Sequence, residues 1–449
     1  MNVAETRRAM AASRPRSRHV HLVRTEGRGH LFVTDGSRLY DADAQMIAAF
    51  EAALAEGGDA AVENLLVRLG LDGRPMIDDQ PIDPPPLFAL SLAVAQKCNL
   101  GCSYCYADQG AFGGAPKNMT AEDAERAVDL LVADAPEGGR INLAFLGGEP
   151  LANRAVIRHA TRHAVNRAAR KGLKVGFSIT TNATLVTEED AAFFDEHGFA
   201  VTVSIDGGRE AHDRLRPFAG GRGSFDRVMA RARLLIARQG RMQVSARVTV
   251  TPENLALRET LDALVAEGFH SVGFSPMLAS PTGRGEMQAD DLAKMLAAMI
   301  DCGRAFESHA LARRRYPFLN MLNALREIGR GTHRPYPCGA GAGYLGVSAD
   351  GELAACHRFV GDEAGAMGSL AEGVDPARRA DWLAGRHVHT QTPCRDCWAR
   401  YLCGGGCHHE VIARGRPACD YIRGWLDYCL GAYLRLSDAG ALGATTGAA

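Results

Sequence analysis

Six short apolar runs recur between residues 87 and 278: LFALSLAVA (87–95), INLAFLG (141–147), KVGFSITTN (174–182), FAVTVSID (199–206), QVSARVTVT (243–251) and SVGFSPML (271–278). Their length and their content of β-branched and aromatic residues predict strands. Helix-period stretches lie between them, near 121–134, 153–170, 187–196, 224–238 and 257–266, with a further one at 289–309. Thr120 with Asp123 supplies a cap for the first. Six strands alternating with helices imply a parallel sheet with right-handed crossovers. The near-continuous apolar character of the strands predicts a sheet covered on both faces. A closed barrel, an open doubly wound sheet and a partial barrel all satisfy this pattern. In each of them ligands gather at the carboxyl ends of the strands.

The pattern changes on both flanks of this region. Upstream, HLFVTDGSRLYD (30–41) predicts a hairpin turning at Asp35-Gly36, followed by helices at about 43–56 and 60–69. The proline run DDQPIDPPP (78–86) ends this small α+β module, which reads as a peptide-docking domain or as a packed extension. Downstream of about residue 312 the alternation fails. Residues 316–330 look helical, the chain from PYPCGAGAGY onward is rich in Gly and Cys, and CDYIRGWLDYCLGAYLRL reads as one helix beginning at Cys419. A region with so modest an apolar core needs another source of stability, and metal binding supplies one. The expected divisions are a disordered tail at 1–19, the α+β module at 20–86, the strand–helix core at 87–311, the Cys-rich domain at 312–436 and a second disordered tail at 437–449. No internal repeat of solenoid period is present.

Composition narrows the function classes. The 449-residue chain carries a formal net charge of -1, so no global field favours nucleic acid or an acidic membrane surface. No apolar run approaches the ~20 residues of a membrane-spanning helix. The N-terminal segment holds Arg7, Arg8, Arg14, Arg16 and Arg18 without an apolar core, unlike a secretory signal. A solvated tail is the expectation, an organelle transit segment the alternative, and the cytoplasm the expected compartment. There thiols stay reduced, so twelve cysteines do not imply a disulfide scaffold. Their clustering, with none in the first 97 residues, favours metal binding.

Cys98, Cys102 and Cys105 follow directly on the first core strand with C-x3-C-x2-C spacing. Three thiolates on a four-iron cluster leave one iron open, and an open metal position is where chemistry happens. Zinc is the rival, although zinc sites usually show paired C-x2-C elements. CNLGCSYC resembles the signature of the radical S-adenosylmethionine (SAM) enzymes, and GGEP (147–150), TTNAT (180–184), SIDG (204–207) and Arg247 extend the likeness over about 87–280. The resemblance implies a partial (β/α)6 barrel. It also implies a [4Fe-4S] cluster whose unique iron binds SAM, with one electron releasing a 5′-deoxyadenosyl radical that abstracts hydrogen. By the same resemblance Gly147, Gly148 and Glu149 hold the amino group of SAM, Ser204 and Arg247 contact ribose or carboxylate, and Tyr104 lies near adenine.

The tail places Cys338 and Cys356 in a C-x12-G-x4-C pattern, then Cys394, Cys397, Cys403 and Cys407, and last Cys419 and Cys429. This resembles the SPASM extension of radical SAM enzymes, which carries auxiliary four-iron clusters. The interleaved family pattern implies that Cys394, Cys397, Cys403 and Cys419 hold one auxiliary cluster, and Cys338, Cys356 and Cys407 the other. Ten residues of helix advance ~15 Å, so Cys429 completes the second cluster, or else one of its irons is open. Two zinc sites are the alternative. In all, three [4Fe-4S] clusters and SAM are expected.

YADQGAFGG, HDRLRPFAGGRGSFD and CHRFVG resemble maturases that install thioether crosslinks in peptides, such as those of six-cysteine peptides and of the quinohemoprotein amine dehydrogenase small subunit. The implied substrate is a peptide or small protein, and the implied electron donor a low-potential flavodoxin or ferredoxin. The anaerobic sulfatase maturases are the competitor. Their pattern has an acidic residue where this chain has His357, which removes the base proposed for formylglycine formation. His357 and Asp396 are the candidate bases here. Cyclophane formation, and a non-catalytic iron–sulfur peptide-binding protein, stay open as further readings.

Overall fold

The structure is a computed structural model that describes residues 3–25, 27–73, 77 and 80–445. It divides into two compact units that do not follow the linear divisions expected from the sequence. The first contains residues 1–81, 288–338 and 384–449, and the second 82–287 and 339–383.

In the first unit, strands β1 (Val20–Thr25), β2 (Arg28–Val33) and β3 (Arg38–Ala42) form an antiparallel sheet in sequential order. β2 and β3 are the expected hairpin, turning through Gly36 at φ 93°; β1 has no counterpart in the sequence reading. Helices Ala44–Glu56 and Gly58–Leu69 close over Leu31, Val33, Phe50 and Val62, the core of this module. The long helices Ala289–Leu311, Leu319–Gly329 and Cys419–Asp438 make up much of the rest.

The expected tail at 1–19 is instead a helix over Val3–Ala12 that packs on two of these long helices. Its arginines are not free in solvent: Arg7 pairs with Asp290 at 2.5 Å, and Arg14 in the following turn pairs with Asp420 at 2.8 Å. Thr6 and Ser13 are buried, and the Trp398 indole donates to the Ser13 carbonyl at 2.8 Å. At the other end, Ser437 and Asp438 finish a helix and Leu442–Thr445 is helical; residues 446–449 of the expected C-terminal tail lie outside the described residues.

The second unit contains all strands from β4 (Ala89–Gln96) onward. The six strands expected from the apolar runs are β4, β6 (Arg140–Gly147), β7 (Lys174–Thr181), β8 (Ala200–Ser204), β9 (Gln243–Val250) and β10 (Ser271–Pro276); β5 (Lys117–Asn118) is a short partner of β4. The six lie parallel in the order 4-6-7-8-9-10. Sequential order is the winding of a (β/α) barrel, and it excludes the doubly wound alternative, whose order reverses at a switch point. The ring does not close. β4 pairs on its far side with β11 (Tyr344–Val347), from which β12 (Glu352–Ala354), β13 (Ala366–Ser369) and β14 (Gly373–Val374) continue the sheet antiparallel.

The expectation of strands covered on both faces holds for β4 and for Ser271–Phe274 of β10, and needs correcting for β6 to β9. Along β6 to β9 burial alternates: Leu143, Phe145, Phe177, Ile179, Val201, Val203, Val244 and Val248 are buried beneath the helices, whereas Thr180, Ser204, Arg247 and Thr249 are not. Alternate residues share one face of a strand, so the inner face of this curled sheet is polar and accessible, as the wall of a ligand cleft.

Candidate active site and cysteine clusters

The loop after β4 carries Cys98, Cys102 and Cys105. It is held from two sides. Gly101 and Ser103 donate backbone bonds to the carbonyls of Pro217 and Leu215 at 2.8 and 3.2 Å, and Ala219 donates to Asn99 at 3.1 Å. On the other side the TTNAT stretch after β7 braces it: Asn182 Nδ2 donates to Asn99 Oδ1 at 3.0 Å and lies 3.7 Å from Cys98 Sγ, and Asn99 donates to Thr184 at 2.8 Å.

The glycines of GGEP make a close approach, but to the chain itself. A Cβ on Gly147 would lie 2.3 Å from the Ala95 carbonyl, and one on Gly148 would lie 2.2 Å from that of Lys97. The amides of Gly148 and Glu149 donate to these same two carbonyls. The Glu149 side chain is fully buried and accepts from Thr181 Oγ1, Leu151 N and Asn182 N at 2.7, 3.0 and 2.7 Å. Burial pushes its carboxyl group up from the ordinary range, against those three bonds and the nearby Arg216.

Ser204 ends β8 in register with Arg247 on β9, so the two share the accessible inner face. Tyr104 lies deeper. Its hydroxyl donates to Asp206 Oδ2 and accepts from Arg216 Nη1, and Arg216 stands 3.6 Å from Asp206. Asp206 Oδ1 accepts from Thr249 N at 2.9 Å. His212 accepts from the Asp206 amide at 3.3 Å through Nδ1, and its Nε2 bonds Ser224, which donates to the Arg216 carbonyl at 2.6 Å. Arg216, His212 and Ser224 are residues that sequence reasoning passed over. Arg216 sits inside the quoted HDRLRPF, and the signal for it is the buried Asp206, which demands a cation.

The three loop thiols act on one another electrostatically, and none is bridged. Burial raises Cys98 to about 11 and Cys102 to about 12, chiefly by desolvation. Such thiols hold their protons until a metal centre supplies positive charge. Three converging sulfurs at the carboxyl end of the first strand are a donor set that fits an iron–sulfur cluster.

Residues 92–282 match the model of the Radical SAM superfamily. This segment is a radical SAM domain. The protein is an enzyme. Over 354 residues it is 26% identical to the serine-type anaerobic sulfatase-maturating enzyme of Klebsiella aerogenes, a match covering 75% of this chain and 83% of that one. Among solved structures, native anSMEcpe with bound AdoMet superposes with a TM-score of 0.66 at 21% identity, covering 79% of this chain and 99% of the other. Streptococcus suis SuiB bound to precursor peptide SuiA gives 0.53 at 14% identity, covering 90% and 98%. These structures share the fold of this chain.

Two more predicted residues belong to the unit of the radical SAM domain. Cys356 is buried after β12, and His357 follows it in a short turn. His357 Nδ1 bonds the Tyr344 hydroxyl at 2.9 Å, which bonds Ser91 Oγ on β4 at 2.8 Å. Tyr106, next to Cys105, meets the His357 ring edge-on at 5.9 Å and is covered by Arg358 at 5.1 Å.

The remaining cysteines are in the first unit. Cys394, Cys397, Cys403 and Cys419 form one group, each within electrostatic reach of the others. Burial raises the Cys394 thiol to about 12. Cys397 ends a turn that begins at Cys394 (N–H to carbonyl, 3.0 Å). After Cys403, Gly404, Gly405 and Gly406 all take positive φ, and a Cβ on Gly404 would lie 2.5 Å from Pro337, so only glycine lets the stretch before Cys338 pass this closely. Among the described residues, no three His, Cys, Asp or Glu side chains close on a single point as ligands of one metal ion. Zinc draws its sulfurs to within about 2.3 Å of one centre, whereas a four-iron cluster spreads them over a larger body.

Cys407 neighbours Arg386, and Cys338 is exposed. Among the described residues, no other expected cluster cysteine is among the groups that act on the Cys429 thiol. Cys429 is fully buried with its Sγ 3.9 Å from Met321 Sδ, in the neighbourhood of Tyr421, because its face of helix Cys419–Asp438 packs on apolar helices while Cys419 sits at the helix start. Asp396 is exposed beside Arg395 at 3.3 Å and lines an ~810 Å³ cavity with Arg18, Asp35, His389 and Arg400.

Proposed function

We propose that this radical SAM enzyme modifies a ribosomally made peptide or small protein subunit, forming thioether crosslinks from cysteine sulfur to carbon. The observation that carries this reading is the meeting of three unbridged thiols with Glu149 and an accessible polar wall at the carboxyl ends of the barrel strands. A [4Fe-4S] cluster on Cys98, Cys102 and Cys105, together with SAM, supplies a 5′-deoxyadenosyl radical that takes a hydrogen atom from substrate carbon. Gly147, Gly148, Glu149, Ser204, Arg247 and Tyr104 position the cofactor. Crosslinking also removes a thiol proton and one electron, so that two hydrogens leave in all. His357, oriented by Tyr344, receives the proton, with Asp396 as the alternative base. Cys394, Cys397, Cys403 and Cys419 would hold an auxiliary cluster able to accept the electron. The module of β1 to β3 docks the peptide, and β3, which among the described residues pairs only with β2, offers an edge for it. A flavodoxin or ferredoxin in the cytoplasm reduces the first cluster.

The likeness to a sulfatase-maturating enzyme favours a second reading, formylglycine formation. One experiment separates them. Reconstituted, reduced protein is incubated with SAM and a cysteine-bearing peptide encoded beside its gene, and 5′-deoxyadenosine and peptide mass are followed. A peptide that loses two hydrogens and one alkylatable thiol, and gains no aldehyde, supports the thioether. An aldehyde that a hydrazine probe traps, formed from Ser by loss of two hydrogens or from Cys by loss of its sulfur, supports formylglycine, and no 5′-deoxyadenosine defeats both.

A further inference from the structure

Two arginines near the Cys394 group converge on a single acceptor. Arg386 and Arg416 both direct Nη2 at one acceptor, Gln391 Oε1, the first at 3.0 Å. Their other partners are His408 and the carbonyl of Gly405, and neither is paired with a carboxylate among the described residues. Burial, with the repulsion of Arg416 added, lowers the affinity of Arg386 for its proton. Gln391 is itself buried and locked, donating to the Arg386 carbonyl. Arg416 and Arg386 are within electrostatic reach of Cys394, and Arg386 also of Cys407; a third guanidinium, that of Arg423, bonds Cys397 while its Nη2 pairs with Asp420.

We propose that Arg386, Arg416 and Arg423 form a cationic cage that raises the reduction potential of the cluster on Cys394, Cys397, Cys403 and Cys419, fitting it to accept an electron. This rests on the reading of those four cysteines as cluster ligands. Reduction adds one negative charge to an already anionic iron–thiolate body, and fixed cations beside the sulfurs favour that change. The three are positioning residues for the cluster and need not touch the peptide.

The test is an EPR-monitored redox titration of the full chain carrying Cys98→Ala, Cys102→Ala and Cys105→Ala, which leaves iron only in the auxiliary region. Arg416→Gln and Arg423→Gln are each expected to weaken one-electron reduction about tenfold, a midpoint about 59 mV lower. Arg416→Lys is expected to recover most of the loss. Arg395→Gln is the control, because Arg395 is exposed and paired with Asp396; it is expected to leave the midpoint in place. Gln391→Glu, which keeps every arginine but adds an opposing charge, is expected to lower the midpoint too and serves if the arginine variants do not fold. Midpoints unchanged in Arg416→Gln and Gln391→Glu overturn the inference alone. Absence of any iron–sulfur signal in the parent triple variant overturns the ligand reading and the inference with it.

Discussion

His212 shows how a single buried side chain ties the candidate site to stability. Its Nδ1 accepts the Asp206 amide and its Nε2–H points at Ser224, so the ring is needed neutral. Burial, aided by Arg216, lowers its pKa to about 3 from an ordinary 6.5. The unfolded chain therefore binds a proton between those values that the folded chain refuses. The contribution of His212 is complete above pH 6.5 and is lost as pH falls towards 3, at about 1.4 kcal/mol per pH unit. His212→Gln keeps an acceptor and a donor but cannot be protonated. It is expected to flatten the acid limb of stability between pH 6.5 and 4.5, measured as the urea midpoint of unfolding of the full chain. An acid limb as steep as wild type defeats this assignment. The residue scale is also where sequence was least legible. Cys98, Glu149 and Ser204 stand in motifs whose spacing points to them. Arg216 and His212 are identified only when the fold brings residues 104, 206, 212, 216 and 224 into one buried chain of hydrogen bonds.

Elements with strong local signals were legible and those stabilised by distant partners were not. The six parallel strands announce themselves through apolar runs, and helix Ala121–Asp134 through Thr120, whose side chain accepts from Asp123 N. Helix Val3–Ala12 reads as a solvated tail because its arginine partners, Asp290 and Asp420, lie hundreds of residues away. β1 and β11 to β14 are short and rely on neighbours for their pairing. The loop of Cys98 to Cys105 and the GGEP turn form one joint, since Gly148 and Glu149 donate to Ala95 and Lys97. Gly148→Ala must push the Lys97 carbonyl, 2.2 Å from the new carbon, away from the cysteine loop. Loss of iron from that loop and of most 5′-deoxyadenosine formation is expected, with the auxiliary iron retained, as read by iron analysis and EPR. Full first-loop iron in Gly148→Ala would show that the joint yields without disturbing the thiols.

At the scale of the whole molecule, Cys98, Cys102 and Cys105 all belong to one compact unit, and Cys394, Cys397, Cys403 and Cys419 all belong to the other. Each group draws its sulfurs from a single unit, so each is expected to take up metal by itself. Cys98→Ala/Cys102→Ala/Cys105→Ala and Cys394→Ala/Cys397→Ala are expected each to remove its own share of iron and leave the other in place, so that the two losses add. Cys429 provides the sharpest contrast within the first unit. It is as much a cysteine of the tail as Cys419, and on the same helix, but its sulfur rests on that of Met321. Cys429→Ala is expected to keep the full iron content and SAM-cleaving activity, at a cost of about 1 kcal/mol for the small void left in an apolar core. Iron analysis after anaerobic reconstitution decides it: a Cys429→Ala protein short of one cluster's iron would return this cysteine to the ligand set and require the helix to turn its other face to the metal.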